Sequence, residues 1–246
     1  MIIYPCKSCP LRELPVFLPH TPAELAQIES MKREQVSVQA DHTIIHEGQP
    51  KAALYTLLSG WAFRFKTLSD GRRQILNFLL PGDFIGVQQK MDDASPHGVQ
   101  ALTDSILCMF HGSALWDLHT SVPTLGFAIT WLTAHEEAMV DDNLLTVGRR
   151  SAEERIATLL VTLFKRAAAL IPGFERDHGV PFPLTQQHIA DALGLSLVHT
   201  NKTLRKLERR GLHRIQDGRL FLLDAKALAR LGDLYGDGRT APRPLI

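Results

Sequence analysis

The stretch that decides the fold is residues 184–214, LTQQHIADALGLSLVHTNKTLRKLERRGLHR. Thr185 is placed to cap a short helix, Gly194 interrupts that helix, and Ser196 is placed to cap the next one. Apolar residues recur at helical spacing on both sides of the interruption. The pattern therefore predicts two helices joined by a tight turn, a helix-turn-helix.

The second helix of this pair carries the predicted base contacts. Thr200, Leu204 and Leu207 recur at i, i+4 and i+7 and are predicted to face the core, so the opposite face points outward. An outward face of this kind is the one that a helix-turn-helix places against bases. The residues expected to contact bases are Leu197, Val198, Asn201 and Lys202. The residues expected to contact phosphates, mostly by their place at helix starts, are Thr185, Gln187, Ser196, His199 and Arg205.

Charge supports this interpretation. Residues 184–214 hold six Lys or Arg against two acidic residues, a local charge of +4, whereas the whole chain carries +1 and the remainder therefore sums to −3. A basic patch on a mildly acidic protein is typical of DNA contact, because neutralised phosphates supply much of the affinity. The alternative is an ordinary helical hairpin with a solvated basic face.

Length and composition limit which other kinds of protein this chain can be. A chain of 246 residues predicts two domains, and 45% apolar with 22% charged residues is ordinary for a folded soluble protein. No apolar run is long enough to span a membrane and the start lacks a signal-peptide pattern, so we expect a cytoplasmic protein with no membrane partner. Three cysteines argue against a disulfide framework. No P-loop, nucleophile elbow or HExxH motif occurs, so we do not expect an enzyme.

Between residues 36 and 110 the apolar residues follow a different pattern. Short alternating apolar runs are separated by Gly48, Gly60, Gly71 and Gly82, at intervals of 12, 11 and 11 residues. Evenly spaced turn glycines between short strands favour an all-β sandwich or barrel. The expected strands are 36–38, 43–45, 54–58, 61–65, 74–80 and 106–110.

A long helix is predicted after Pro123, with more apolar surface than one domain needs. Such a helix favours dimerisation, and the alternative is a core helix packed on the β domain. The expected interface residues are Ile129, Leu132, Glu136, Met139 and Asn143.

The remaining segments complete the domain plan. Ser151 caps a further helix over 153–170, and two apolar runs around Asp217-Gly218 predict a two-stranded wing. Pro242 and Pro244 predict a flexible tail. The expected division is a cysteine-bearing N-terminal segment (1–20), a β sensor domain (21–122), a dimerisation helix and hinge (123–150), a winged helix-turn-helix domain (151–236) and the flexible tail (237–246).

The order of these parts resembles the Crp/Fnr family of transcription regulators. The resemblance covers nearly the whole chain and is strongest at PGDFIG (81–86), SAEERIA (151–157) and LTQQHIADALGLS (184–196). It implies an α+β fold with an N-terminal β-roll (double-stranded, jelly-roll-like) sensor domain, a long dimerisation helix and a C-terminal winged helix-turn-helix. It also implies a homodimer on a palindrome in double-stranded DNA, with recognition helices about 34 Å apart, and RNA polymerase as a partner if the protein is an activator.

Cyclic AMP is not the expected effector. Cyclic-AMP receptors of the family hold the ribose with a Glu and the phosphate with an Arg-Ser pair, and the gap-free alignment places Val87, His97 and Gly98 at those positions. A buried phosphate without its Arg lacks a compensating charge.

An iron–sulfur cluster is a further alternative. The oxygen-sensing Fnr branch uses four cysteines; Cys6 and Cys9 match the first two and Cys108 the last, but Pro15 stands at the third. A [4Fe–4S] cluster normally requires four thiolates. The sequence leaves open a cluster with a substitute ligand, a thiol or disulfide switch, and a structural role, so the cofactor and signal are unidentified. The substitute ligands considered are Glu13, His20 and His46.

The base-contacting face departs from the family. Common members carry Glu, Ser or Gly, and Arg at three positions where this chain has Val198, Asn201 and Lys202. Because Glu accepts from cytosine and Arg binds guanine through two hydrogen bonds, we expect a different DNA sequence to be recognised. A third class of function, a cyclic-nucleotide-like interaction module that does not bind DNA, is disfavoured by the local charge.

Overall fold

The computed structural model describes residues 4–50, 52–87, 94–111, 119–234 and 242–246. The chain divides into two compact units, one of residues 1–66, 78–138 and 241–246 and the other of 67–77 and 139–240. Within the described ranges, no helix is both long and apolar enough to cross a membrane.

Eight strands form two antiparallel sheets of four strands each. Strands β6, of two residues, and β7, of four, were not predicted. The sheet orders are β1-β8-β3-β6 and β2-β7-β4-β5, which confirms the predicted β-roll. The strands are β1 (Lys32–Val38), β2 (Thr43–Ile45), β3 (Leu54–Ser59), β4 (Ala62–Thr67), β5 (Arg73–Leu79), β6 (Phe84–Ile85), β7 (Gly98–Ala101) and β8 (Ser105–Phe110).

The four evenly spaced glycines all have positive φ, between 79° and 88°. This left-handed region costs an ordinary residue steric strain and costs glycine almost none. At Gly82 space is also limiting, since a Cβ there would lie 2.2 Å from Cζ of Phe17. Gly82 therefore lets the N-terminal segment pack directly on the loop between β5 and β6.

One helix and the first part of a longer one pack on the sheets of the first unit. Helix α1 (Pro22–Met31) begins with a capping box in which Thr21 accepts a hydrogen bond from the Glu24 amide and Glu24 accepts one from the Thr21 amide. Helix α2 (Pro123–Arg149) is continuous. Its first turns pack against α1 and the β1-containing sheet in one apolar cluster. The buried members of that cluster include Ile28, Met31, Phe84, Phe110, Leu125, Ile129 and Leu132.

The second unit is a winged helix-turn-helix, as predicted. Ser151 caps its first helix through a capping box with Glu154. The sheet has the order β10-β11-β9, and β9 was not predicted because it is two residues long and contains a proline. The elements are α3 (Ala152–Ala168), β9 (Val180–Pro181), α4 (Gln186–Leu193), α5 (Leu197–Arg209), β10 (His213–Gln216), β11 (Arg219–Leu222) and α6 (Ala225–Leu231).

The structure differs from the expectation at the last residues of the sequence. Two prolines predict a flexible tail, but Leu245 and Ile246 are only 2% and 5% exposed. Burial of aliphatic side chains of this size is favourable by about 1.5–3 kcal/mol each, which outweighs the lack of regular structure. Residues 237–241 of the expected tail lie outside the described residues.

Candidate nucleic-acid interface

The turn between α4 and α5 is fixed by caps and one glycine. Thr185 Oγ1 accepts from the His188 amide at 3.2 Å, and the Thr185 amide donates to His188 Nδ1 at 3.2 Å. Gly194 ends α4 in the left-handed conformation (φ 61°, ψ 36°). Ser196 Oγ then accepts from the His199 amide at 3.2 Å and begins α5. These local bonds set the direction in which α5 leaves the turn.

Helix α5 presents an exposed basic face. Val198 is 79% exposed, and Lys202, Arg205 and Arg209 are exposed on the same side. Arg209 was not among the predicted DNA contacts, although its spacing of seven residues from Lys202 places both on one helix face. The opposite side is buried, as predicted, by Thr200, Leu204 and Leu207.

Asn201 lies at the edge of this face. Its side chain is half-buried, and its Oδ1 atom is buried without a hydrogen-bond partner among the residues that the structure describes. A buried acceptor left unpaired costs about 1–3 kcal/mol. Because its Oδ1 atom is buried, Asn201 is less available to bases than Val198 or Lys202.

Two of the basic residues hold α5 against α3. Lys206 forms an ion pair with Glu153, and Arg210 Nη1 lies 2.7 Å from the second oxygen of the same carboxylate. The hydrogen bond from Lys206, together with the nearby charges, lowers the pKa of Glu153. On β10, exposed Arg214 stacks over the Phe221 ring at 4.8 Å.

The predicted phosphate contacts lie at two helix starts. Thr185 and Gln187 are exposed at α4, and Ser196 and His199 are exposed at α5. The side-chain Nε2 of Gln187 donates a hydrogen bond to Asp191 Oδ1 in the same helix at 2.6 Å. The first-turn amides of a helix together favour anions, which suits phosphate at both places. Arg205, further along α5, is exposed.

Two positions of the first unit, His97 and Gly98, do not fit the phosphate of a cyclic nucleotide. His97, at a position where cyclic-AMP receptors have a phosphate ligand, is 4% exposed. Burial, with Arg64 and Lys66 nearby, lowers the pKa of His97 to about 4, so the imidazole is neutral at pH 7. A Cβ at Gly98 would lie 2.6 Å from the Phe65 ring, which already covers this position. The site offers an anionic phosphate neither a cation nor space at these two positions.

The three cysteines line one cavity together with Arg12 and Lys32. Burial raises the pKa of the Cys6 and Cys108 thiols. Across the described ranges, no group of three or more Cys, His, Asp or Glu is arranged to hold a metal ion. Three cysteines, with Pro15 at the third ligand position, do not supply the four thiolates of such a cluster.

The substitute ligands do not change this result. His20 does not line the cavity, and its Nδ1 atom lies 2.8 Å from Nη1 of Arg12. Glu13 and His46 do not line the thiol-bearing cavity.

Of the five predicted dimer residues of α2, two are buried, two are partly buried and Asn143 is exposed. Ile129 and Leu132 are buried in the core cluster of the first unit, and Glu136 pairs with buried Arg64 at 2.8 Å. Met139 is half-buried, and Asn143 Nδ2 donates to the Leu76 carbonyl at 2.8 Å. This face corresponds to the alternative of a core helix. Periodicity shows that a helix has an apolar face but not which surface covers it.

Comparison with known proteins defines the class. A model of the cyclic nucleotide-binding domain matches residues 35–121, and a model of the Crp-like helix-turn-helix domain matches residues 154–231. The protein is therefore a winged helix-turn-helix regulator with a sensor domain of the cyclic-nucleotide-binding type.

Relatives along almost the whole chain define the family. The transcriptional activator protein FnrL of Cereibacter sphaeroides is 31% identical over 237 residues, 94% of each chain. The nitrogen fixation regulation protein FixK of Bradyrhizobium diazoefficiens is 33% identical over 220 residues, 89% of this chain and 90% of FixK. The structure of FixK2 from Bradyrhizobium japonicum superposes with a TM-score of 0.72 at 28% identity, covering 80% of this chain and 96% of that one. The chain belongs to the Crp/Fnr family of DNA-binding transcription regulators.

Proposed function

We propose that this protein is a homodimeric regulator of transcription that binds a palindromic DNA site with α5 in the major groove. The observation that carries the proposal is the exposed basic face of α5, along which Val198 is followed by Lys202, Arg205 and Arg209. The major groove admits an α-helix, and lysine and arginine beside phosphates give salt-dependent affinity. Arg214 on the wing extends the positive surface beyond α5.

The side chains of this face support a particular kind of sequence recognition. Val198, uncharged and prominent, suits a thymine methyl group, and Lys202 suits guanine or a phosphate. Leu197 and Asn201 lie toward the edge, and Asn201 pairs with adenine through both amide atoms only if its buried Oδ1 turns outward. The recognised half-site therefore differs from that of relatives with Glu and Arg at these positions.

A stripe on α2 supports the homodimer. Phe127, Ala134, Ala138 and Leu145 are exposed on the side of the helix opposite Ile129 and Leu132. Their separations of 7, 4 and 7 residues follow the repeat of helices that pack side by side. A second copy covers this stripe, and the two copies of α5 then contact DNA about 34 Å apart.

A salt titration tests DNA binding directly. Fluorescence anisotropy with a selected DNA site should show Lys202→Ala weakening binding, with the slope of log affinity against log salt reduced by about one. Lys226→Ala, which removes an exposed lysine of α6, is the matched control and should leave both quantities unchanged. An affinity of the wild-type protein that does not fall with salt contradicts the proposal.

A thiol switch is the second candidate for the signal. It is favoured by Cys6, Cys9 and Cys108 lining one cavity. Oxidised glutathione would convert Cys6 and Cys9 to a disulfide and be reduced to two glutathione thiols. DNA affinity measured with and without this oxidant should change in the wild type but not in Cys9→Ser. Equal behaviour of the two proteins rejects the switch.

The remaining assignments follow from DNA binding. A regulator of transcription acts where the genome is, so we expect a cytoplasmic location, with RNA polymerase as a partner if the protein activates transcription.

We also propose the domain boundaries 21–122, 123–150 and 151–236. Limited proteolysis followed by mass spectrometry tests them, because cleavage concentrates between domains.

A further inference from the structure

Residues 242–246, with the sequence PRPLI, pair with the N-terminal segment as a short parallel bridge. The Arg243 amide donates to the Val16 carbonyl at 2.9 Å, and the Leu18 amide donates to the Arg243 carbonyl at 2.9 Å. Backbone pairing of this kind is how an extended peptide adds to the edge of another segment. The geometry is that of a bound peptide.

The Arg243 side chain makes this pairing specific. Its Nη1 forms an ion pair with Asp83, and both side chains are largely buried. Its Nη2 donates to the Pro81 carbonyl at 3.1 Å, and the guanidinium stacks over the Phe17 ring at 5.1 Å. A flat, forked cation satisfies these three partners together, and lysine does not offer that geometry.

The two aliphatic residues of the segment anchor it on the other side. Leu245 and Ile246 are buried, and Ile246 belongs to the core cluster with Phe110. The Ile246 carbonyl accepts a hydrogen bond from buried Thr56 at 2.6 Å. Both aliphatic residues line the cavity that the three cysteines also line.

We propose that residues 242–246 are an internal peptide ligand of the sensor domain, which closes the cavity around Cys6, Cys9 and Cys108. The binding groove takes an extended peptide with an arginine followed by aliphatic residues. Release of the segment breaks a buried ion pair and exposes two aliphatic side chains, so the closed state is the populated one and opening is a local event. Of the three cysteines, Cys6 is buried and Cys9 and Cys108 are partly buried, so release of the segment increases the access of small molecules to these thiols.

Alkylation of the cysteines in the full chain tests the closure. Iodoacetamide labelling followed by mass spectrometry gives a rate for each thiol. In Arg243→Ala we expect the rates at Cys6 and Cys108 to rise about tenfold or more, which corresponds to about 1.4 kcal/mol of lost anchoring. Arg230→Ala, which removes an exposed arginine of α6, is the matched control and should label like the wild type.

Peptide rescue separates closure from general loosening. In a protein without residues 242–246, added PRPLI peptide should slow labelling toward the wild-type rate, and the same peptide with Arg243→Glu should not. Unchanged rates in both Arg243→Ala and the shortened protein overturn the proposal. Faster labelling that the PRPLI peptide fails to slow also overturns it. Neither readout involves DNA, so the result is independent of the DNA-binding proposal.

Discussion

Val198 is an apolar residue whose side chain is mostly exposed to solvent in the free protein. It is 79% exposed in the first turn of α5, on the same face as exposed Lys202 and Arg205. A prominent aliphatic group surrounded by cations suits a groove that offers a methyl group and phosphates together. Its contribution to specificity can be changed without touching the core.

Substitution of this residue should alter which base is preferred. Val198→Glu introduces an acceptor for the cytosine amino group, so we expect a shift toward cytosine at the contacted position by about 1–3 kcal/mol. Competition titrations against single-base variants of the selected site measure it. Leu68→Glu adds the same charge at another exposed apolar residue and should leave the preference unaltered. An unchanged base preference in Val198→Glu removes Val198 from the base-contacting set.

His97 should make the stability of the protein depend on pH. Its folded-state pKa of about 4 lies below its ordinary value of 6.5 because burial, then Arg64 and Lys66, disfavour the charged ring. The unfolded chain therefore takes up the proton first as the pH falls. The contribution of His97 is complete above about pH 6.5 and is lost progressively between 6.5 and 4.

Urea unfolding at pH 7.5 and pH 5 measures this dependence. The free energy of unfolding of the wild type should fall by up to about 2 kcal/mol more than that of His97→Gln, since each unit of pKa shift corresponds to about 1.36 kcal/mol. Burial also lowers the pKa of His20 and His213, so some pH dependence should persist in the variant. Identical losses in the two proteins contradict the assignment to His97.

At the scale of elements, the turn between α4 and α5 depends on Gly194. Its left-handed backbone is strained for any side chain, although the nearest atom to a Cβ lies 3.9 Å away. Gly194→Ala should therefore destabilise the protein by about 1–2 kcal/mol through the backbone alone. Gly148→Ala, where a Cβ meets open space within a helix, should stabilise by up to about 1 kcal/mol. Denaturant unfolding of the full chain distinguishes the two, and equal shifts contradict the account of the turn.

The exposed stripe of α2 makes a prediction about assembly. Phe127→Glu combined with Leu145→Glu places like charges on both copies of a packed interface, so we expect a monomer in sedimentation velocity and a loss of affinity for palindromic DNA. Leu223→Glu alters another exposed leucine and should leave the dimer intact. A dimer that persists in the double variant shows that another surface joins the copies.

Elements set by neighbouring residues were predictable, and those set by distant packing were not. Caps such as Thr185 and Ser196 act within four residues along the chain, so the sequence alone places the starts of α4 and α5. The covered face of α2 depends on a sheet whose strands are far away in sequence, so periodicity alone could not show that Ile129 is buried in the core of the first unit. The burial of Ile246 depends on Thr56, 190 residues earlier, which no local pattern reveals.

For the whole molecule, the distribution of charge matters more than its sum. The chain carries +1 and residues 184–214 carry +4. Two of the six basic residues in that stretch pair with Glu153 and stabilise the domain, while Lys202, Arg205, Arg209 and Arg214 are exposed. A nearly neutral protein should therefore bind DNA with a strong dependence on salt, because local phosphate contacts and not net charge release the counterions.

The most direct test of the central claim is a titration of the full-length chain with DNA, read by anisotropy and by sedimentation. The DNA is a palindrome selected from random sequence, its isolated half-site, or a scrambled duplex of equal length. The account predicts two chains bound per palindrome, much weaker binding to the half-site, and a log affinity that falls linearly with log salt. Equal affinity for the palindrome and the scrambled duplex, or an affinity that salt does not change, would contradict it.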